Sequence, residues 1–257
     1  AFGDWPHDET CIDRARAAMV GPYTRKQWGT SADALAPGVL ARIKMRTNRD
    51  DRYFTDHFQA MPALGYTRLF ERMLSSPRIK ILLKATYREV VSALGPALYE
   101  ESIDDPELTV IFTGPIDEFF DHRFGPLPYR SARFEFETRD QEWFQPVGVV
   151  NYPSEAVSFT RIAEFKHLTG QQHPRTTIAV EYPAAQGEPY WPVPTAASAA
   201  LYRQYADLAA QTPHVYFLGR LGSYSYLDMH QVVAQALKLS ETLIQKGRSH
   251  ADTAARA

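Results

Sequence analysis

The sequence has one cysteine, Cys11, among 257 residues, and no apolar run near the roughly 20 residues that a membrane-spanning helix needs. One cysteine cannot build a disulfide framework, which favours an intracellular protein. Residues 1–10 are polar and unlike a secretory signal peptide. We therefore expect a cytoplasmic protein with no membrane partner.

The sequence also has no large excess of positive or negative charge. The 28 Lys and Arg residues are matched by 30 Asp and Glu residues, and the formal net charge is −2. Nucleic-acid binding usually requires a basic patch or stripe. The sequence therefore predicts no nucleic-acid partner.

Glycine-rich phosphate loops are absent as well. No two of the 14 glycines stand two positions apart, so the GxGxxG loop cannot form, and GxxxxGK[ST] does not occur. The eight histidines show neither HExxH nor HxH spacing, and no nucleophile elbow supports a covalent Ser or Cys mechanism. A cation held mainly by substrate phosphates would leave little trace in the sequence, so a magnesium or manganese ion remains an open expectation.

The apolar pattern changes along the chain. Residues 13–102 have mainly helical spacing, with helices predicted over 31–43, interrupted at Pro37 and Gly38, and over 66–75. Strands are predicted at 78–84, 108–112, 132–138, 147–152, 156–164, 176–182 and 215–218, and helices at 196–210 and 228–246. These elements predict an α+β fold with a mostly antiparallel sheet and a C-terminal helix.

The chain contains no internal repeat and no Gly/Ser linker. The change of pattern therefore divides it into a helical portion, 12–105, and a sheet and C-terminal helix portion, 106–247, with flexible ends at 1–11 and 248–257.

Without a glycine loop, a diphosphate can still be bound by arginine and tyrosine side chains, because Arg offers a planar fork of donors and Tyr a rigid hydroxyl. Such residues cluster in four places: Tyr23 to Trp28, Arg46 with Tyr53, Phe159 to Arg161, and Arg220 with Tyr224 and Tyr226. Any one cluster taken alone is also what ordinary surface ion pairs or core packing would produce.

Several segments together resemble the UDP-galactopyranose mutases, in the same order along the chain. They are YTRKQWG at 23–29, TGPID at 113–117, FDHRFG at 120–125, FTRI at 159–162, GRL at 219–221 and YLDMHQV at 226–232. The resemblance implies the fold of that family's substrate-binding part. It also implies an enzyme that interconverts the pyranose and furanose rings of a nucleotide sugar, in that family through a reduced flavin.

The resemblance further implies residue roles. Arg46 and Arg161 match the arginines that grip the diphosphate, and Tyr53 and Tyr226 match tyrosines that donate to it. The remaining matches are Tyr23 and Trp28 beside the nucleotide and substrate, Arg220, Asp228 and Met229 facing flavin and sugar, and Glu181 near the sugar.

Three departures qualify these expectations. The family's N-terminal glycine loop and dinucleotide-binding helix have no counterpart, and Trp191 stands where a diphosphate-binding tyrosine is usual. Met19 and Val20 replace aromatic residues that pack on uracil, so a GDP-hexose fits as well as a UDP-hexose. The pattern resembles flavin-free mutase-like proteins of bacterial antibiotic pathways that act on GDP-hexoses.

Three hypotheses follow. The first is a flavin-independent mutase, expected to form a homodimer. Its acid-base candidates are Asp228 and Glu181, and Arg220 lies beside the sugar. A divalent cation assists Arg46 and Arg161 at the diphosphate. The second is a non-catalytic nucleotide-sugar-binding subunit. The third is a fragment of a flavin-dependent mutase.

Overall fold

The structure, a computed structural model, describes residue 14 and residues 16–41, 54–94 and 109–254. After a π-helix at Arg16–Val20, the α-helices are α1 (Gly21–Trp28), α2 (Pro37–Ala41), α3 (Gly65–Met73), α4 (Tyr87–Leu94), α5 (Ile116–Phe119), α6 (Phe165–Thr169), α7 (Ala196–Ala210), α8 (Gly219–Gly222) and α9 (Met229–Ala254). The strands are β1 (Val110–Phe112), β2 (Tyr129–Arg139), β3 (Val149–Asn151), β4 (Arg161–Glu164), β5 (Thr176–Ala184), β6 (Trp191–Pro192) and β7 (Val215–Phe217), and a 3₁₀ turn covers Ala32–Ala34.

Contacts divide the described residues into two units whose sequence ranges interleave. Unit 1 includes described residues within 1–33, 40–90 and 132–185, and unit 2 includes those within 34–39, 91–131 and 186–257. The boundary predicted near residue 105 lies outside the described residues. The division into 12–105 and 106–247 therefore stays a prediction.

Unit 1 is built on an antiparallel β-meander. Strands β3, β4 and β5 pair in antiparallel order, and β2 lies on the other side of β5. Helix α1 lies against β5. Its length follows from local signals, because Pro22 lies in its first turn and Gly29 ends it with a left-handed φ of 66°.

Unit 2 contains a parallel pair, β1 with β7, and the first residues of β2 paired with β6. Its core is formed by Ile116, Leu127, Tyr205 and Tyr224, all at most 8% exposed. Helix α7 begins at a capping box, in which Thr195 and Ser198 each accept a hydrogen bond from the other's backbone N–H.

The α+β expectation is confirmed, and most predicted elements lie within a few residues of the observed ones. The predicted strand at 78–84 is wrong: residues 77–86 form turns and irregular backbone, and Lys84 has a φ of 56°. A strand needs a neighbour to complete its hydrogen bonds, and this segment has none among the described strands. The helix predicted at 31–43 is interrupted at Leu35 and Ala36, before the expected Pro37 and Gly38, since Pro37 starts α2.

The C-terminal helix α9 continues to Ala254, beyond the predicted end at residue 246. Within the described ranges we find no helix whose length and hydropathy would suit a membrane crossing.

Candidate functional site

An arginine and a glutamate face each other across the two central strands of unit 1. Arg161 opens β4, and it is the direct register partner of Glu181 on β5. Side chains of directly paired residues project from the same face of a sheet. Accordingly, Arg161 Nε lies 3.1 Å from Glu181 Oε1, with the glutamate side chain 9% exposed and the arginine side chain 34% exposed.

Helix α1 brings a tyrosine to the same guanidinium. Arg161 Nη2 donates to the hydroxyl of Tyr23 over 3.1 Å. The helix is tied to the β3–β4 connection, because Lys26 Nζ donates to the carbonyls of Tyr152 at 2.7 Å and Ser154 at 2.9 Å. Burial lowers the pKa of Lys26, while nearby Glu155 acts in the opposite direction. Three predicted site residues, Tyr23, Arg161 and Glu181, are thus brought together.

Sequence reasoning missed one member of this group, Thr160. Its side chain is fully buried, and its Oγ1 donates to Glu181 Oε1 over 3.1 Å and contacts the Glu181 carbonyl at 3.2 Å. The Thr160 backbone N–H also donates to that carbonyl, at 2.8 Å. The available signal was its position immediately before Arg161 in the FTRI segment.

The other predicted residues of unit 1 are less informative. Trp28 ends α1 with its side chain buried, 6% exposed, so the indole is mainly a core residue in this structure. Arg46 and Tyr53 lie outside the described residues. The diphosphate-binding and substrate-contacting roles of these three residues stay predictions.

In unit 2 the predicted residues Arg220 and Tyr226 lie together. Arg220 Cζ stands 5.0 Å from the centre of the Tyr226 ring, and its Nε donates to the Leu227 carbonyl at 2.5 Å. Asp228 directly precedes α9, and its backbone N–H donates to Gln231 Oε1 at 2.7 Å. Trp191 is 8% exposed on β6.

The turn that presents these residues is anchored by Tyr224. This residue has a φ of 42°, a strained value for a non-glycine residue. Its hydroxyl donates to the Pro128 carbonyl at 2.5 Å, and its ring packs edge-on against Tyr129 at 5.3 Å. Burial raises the pKa of Tyr224 to about 12. Tyr129 in turn donates to buried Asp117, and desolvation, then the nearby carboxylate, raise its pKa.

A second buried carboxylate supports the far end of β4. Glu164 is fully buried and accepts hydrogen bonds from the Thr176 hydroxyl at 2.6 Å and from the N–H groups of Phe144 and Gln145 at 3.0 and 2.9 Å. Burial alone would raise its pKa, but these bonds outweigh burial and hold the pKa below its ordinary value. Glu164 thus fixes the strand that begins with Arg161.

Comparison with known proteins assigns the chain to a family. Residues 18–226 match the family model of UDP-galactopyranose mutase. The chain belongs to the UDP-galactopyranose mutase family. Similar relatives are a probable UDP-galactopyranose mutase of Klebsiella pneumoniae, 37% identical over 86% of this chain, and a dTDP-fucopyranose mutase of Escherichia coli, 32% identical over 88%. A UDP-galactopyranose mutase of Mycoplasma pneumoniae is 34% identical over 88%.

The match covers most of this chain but little more than half of each relative. The chain spans 56% of the Klebsiella relative and 59% of the Escherichia and Mycoplasma relatives. A crystal structure of reduced UDP-galactopyranose mutase is similar with a TM-score of 0.50 over 88% of this chain and 64% of that one, at 11% sequence identity. This likeness supports the fold.

A flavin dinucleotide is the cofactor that the family resemblance implies, and the described residues do not fit a self-contained site for it. Such a site needs a strand, a glycine loop and a long helix whose N-terminus meets the diphosphate. The strand–glycine–helix turns from β1 to α5, through Gly114, and from β7 to α8, through Gly219, each lead into a helix of four residues. In the second turn, a Cβ at Gly222 would lie 2.9 Å from the Phe112 carbonyl oxygen. That glycine serves close backbone packing.

A divalent cation finds no preformed cage in the described part of the chain. No group of three or more His, Cys, Asp or Glu side chains there is arranged to hold a metal ion.

Proposed function

We propose that this chain carries the nucleotide-sugar site of a mutase that interconverts the pyranose and furanose forms of a nucleoside-diphosphate hexose. Membership of the UDP-galactopyranose mutase family is the observation that carries the proposal. The arrangement of Arg161 beside Tyr23 supports it, because a fixed guanidinium and a phenol are suitable donors for a diphosphate.

The chemistry gives Arg161 a specific task. Ring contraction requires the bond between the anomeric carbon and the diphosphate to break and re-form, and negative charge develops on the departing oxygen. A donor already fixed in place stabilises this charge without reorganising during the reaction. In the proposal Arg161 binds the diphosphate throughout, with Arg46, Tyr53 and Tyr226 as further donors.

We extend the proposal to flavin-independent catalysis on the resemblance of the sequence to flavin-free mutase-like proteins. The anomeric carbon would then be attacked, as the diphosphate leaves, by a side-chain carboxylate or by the sugar hydroxyl that closes the new ring. The old ring C–O bond then breaks, and the diphosphate re-attaches at the anomeric carbon. Asp228 is the proposed acid-base residue and Arg220 the residue beside the sugar. The resemblance assigns Tyr23 and Trp28 to the nucleotide and substrate, and Trp191 to the position of a diphosphate-binding tyrosine.

The nucleobase and the cation complete the proposal. The relatives are named for UDP and dTDP sugars, so these two join GDP as candidates. A magnesium or manganese ion would be held chiefly by the diphosphate oxygens, which requires few protein ligands. A cytoplasmic location is proposed from the single cysteine, and a role in antibiotic biosynthesis on the resemblance alone.

A homodimer is the proposed assembly. Unit 1 exposes several large apolar side chains between residues 54 and 83, including Phe58 at 85% and Leu83 at 82%. Exposed apolar patches commonly lie in interfaces. Sedimentation equilibrium of the purified chain tests the assembly, and a monomer at all micromolar concentrations would contradict it.

The direct test is conversion of UDP-, dTDP- and GDP-hexopyranoses, followed by chromatography, with flavin excluded and magnesium or manganese varied. We expect furanose from at least one sugar, and no product with Arg161→Ala. Conversion only after adding reduced flavin would contradict flavin independence and keep the mutase. Tight binding without conversion under any condition would favour a nucleotide-sugar-binding subunit.

A further inference from the structure

The Arg161–Glu181 pair combines a partly exposed arginine with a buried counter-ion. The two residues are paired across β4 and β5, and their side chains are 34% and 9% exposed. Part of the arginine side chain therefore reaches solvent, although its Nε is buried, while the Glu181 side chain is almost wholly enclosed. A ligand approaching this pair would meet the arginine side chain before the carboxylate.

The Glu181 carboxylate is itself held from a second side. Thr160, fully buried and adjacent to Arg161 in the chain, donates its hydroxyl hydrogen to Glu181 Oε1 over 3.1 Å. The same oxygen lies 3.1 Å from Arg161 Nε. One carboxylate oxygen thus contacts both the Thr160 hydroxyl and the Arg161 guanidinium. The position of the guanidinium therefore depends on Glu181 and, through it, on Thr160.

A third contact limits rotation of the guanidinium. Arg161 Nη2 donates to Tyr23 on α1, a helix that Lys26 ties to two carbonyls of the β3–β4 connection. Contacts at Nε and at Nη2 define the plane of the group, because the guanidinium is rigid and flat.

We propose that Glu181, supported by Thr160, is a positioning residue that orients Arg161 for a diphosphate, and that it does not transfer protons to the sugar. This inference rests on the proposed function. A general acid or base must reach the reacting atom within hydrogen-bond distance and exchange its proton. Glu181 Oε1 instead accepts a hydrogen bond from the Thr160 hydroxyl and forms an ion pair with Arg161 Nε at 3.1 Å, an arrangement that suits orientation.

The buried carboxylate also explains how the free protein keeps an oriented arginine. A guanidinium held at a fixed place without a partner would be costly, and a buried unpaired carboxylate would be costlier still. In the pair the two charges offset each other before any ligand arrives. Binding then requires little reordering of Arg161, which favours affinity.

The test compares Glu181→Gln, Thr160→Val and Thr160→Ser with the wild-type chain. Glu137→Gln is the matched control, since Glu137 lies in the same unit, is about half exposed and pairs with Arg139 on β2. Two quantities are measured: the NMR signal of the Arg161 Nε–Hε group without ligand, and the Kd for UDP, dTDP and GDP by calorimetry.

We expect Glu181→Gln to shift the Arg161 signal and accelerate its hydrogen exchange. Binding of the preferred nucleoside diphosphate should weaken about 10-fold, the low end of the effect of one charge-assisted hydrogen bond between Arg161 and the diphosphate. Thr160→Val should change both quantities in the same direction as Glu181→Gln, but to a smaller extent. Thr160→Ser keeps the hydroxyl, so its values should equal those of wild type. The control variant should match wild type.

Two results would overturn the inference. The first is an unchanged Arg161 signal in Glu181→Gln. The second is wild-type nucleotide affinity in that variant with ring conversion lost and the pH profile altered, which would make Glu181 the acid-base residue. If the wild-type chain binds no nucleoside diphosphate, the proposed function fails, and the NMR signal still decides whether Glu181 orients Arg161.

Discussion

Replacing Arg161 with lysine should separate the geometry of the guanidinium from its charge. The arginine contacts Glu181 through Nε at 3.1 Å and Tyr23 through Nη2 at 3.1 Å. A lysine ammonium is a single point donor on a flexible stem, so it cannot keep both contacts and also present two parallel donors to a phosphate. The variant keeps the charge and loses the fork.

The expected loss of affinity in Arg161→Lys is that of one hydrogen bond between the guanidinium and the diphosphate. A hydrogen bond to a charged group contributes about 1.5–3 kcal/mol, which corresponds to roughly 10- to 150-fold in Kd. Folding stability should change by about 1 kcal/mol or less, because the arginine side chain is 34% exposed and its ion pair is partly screened.

The assay is calorimetric titration with UDP, dTDP and GDP, and with uridine as a ligand that lacks the diphosphate. Arg161→Lys should weaken diphosphate binding and leave any nucleoside binding unchanged. Arg139→Lys is the control, since Arg139 is 43% exposed on the same unit and pairs only with a surface glutamate among the described ion pairs. Equal Kd values for wild type and Arg161→Lys would refute the reasoning.

Three further predictions concern stability. Glu164→Gln should lower the free energy of unfolding by about 1–3 kcal/mol, since an amide nitrogen would face buried N–H donors. The pKa of Glu164 is lowered in the folded state, so its stabilisation is present above the pKa of the unfolded state and is lost as pH falls through the pKa of the folded state. The free energy of unfolding of the variant should therefore depend less on pH in the acid range than that of wild type. Gly222→Ala should be destabilising, as its Cβ would meet a carbonyl oxygen at 2.9 Å, whereas Gly38→Ala, with nothing within 4 Å, should be neutral or stabilising; thermal unfolding tests both. Tyr224→Phe should cost about 1 kcal/mol in chemical denaturation, and no loss would show that its hydroxyl does not anchor the turn.

Local signals in the sequence predicted part of the fold well. Helix α7, Ala196–Ala210, has the predicted bounds, because a capping box and an alanine-rich run are properties of neighbouring residues. The segment at 78–84 shows the limit, since its alternation suits a strand but a strand forms only where another strand is available. Partner availability depends on the whole fold.

The candidate site shows the same contrast. The resemblance predicted Arg161, in the FTRI segment, and Glu181 as site residues. Their pairing, however, depends on the register of β4 with β5, which sequence patterns do not define. Thr160 was missed because a threonine in a strand ordinarily indicates β-propensity alone. Its importance follows from the carboxylate that it contacts.

The central claim is that the Arg161 face of unit 1 binds the diphosphate of a nucleotide sugar. A crystal structure of the chain grown with UDP, dTDP or GDP tests it most directly. We expect a phosphate oxygen of the bound nucleotide at about 2.7–3.2 Å from the Arg161 guanidinium, with Glu181 still paired to Nε. A diphosphate bound away from Arg161, or no binding of any of the three nucleotides in solution, would contradict the claim.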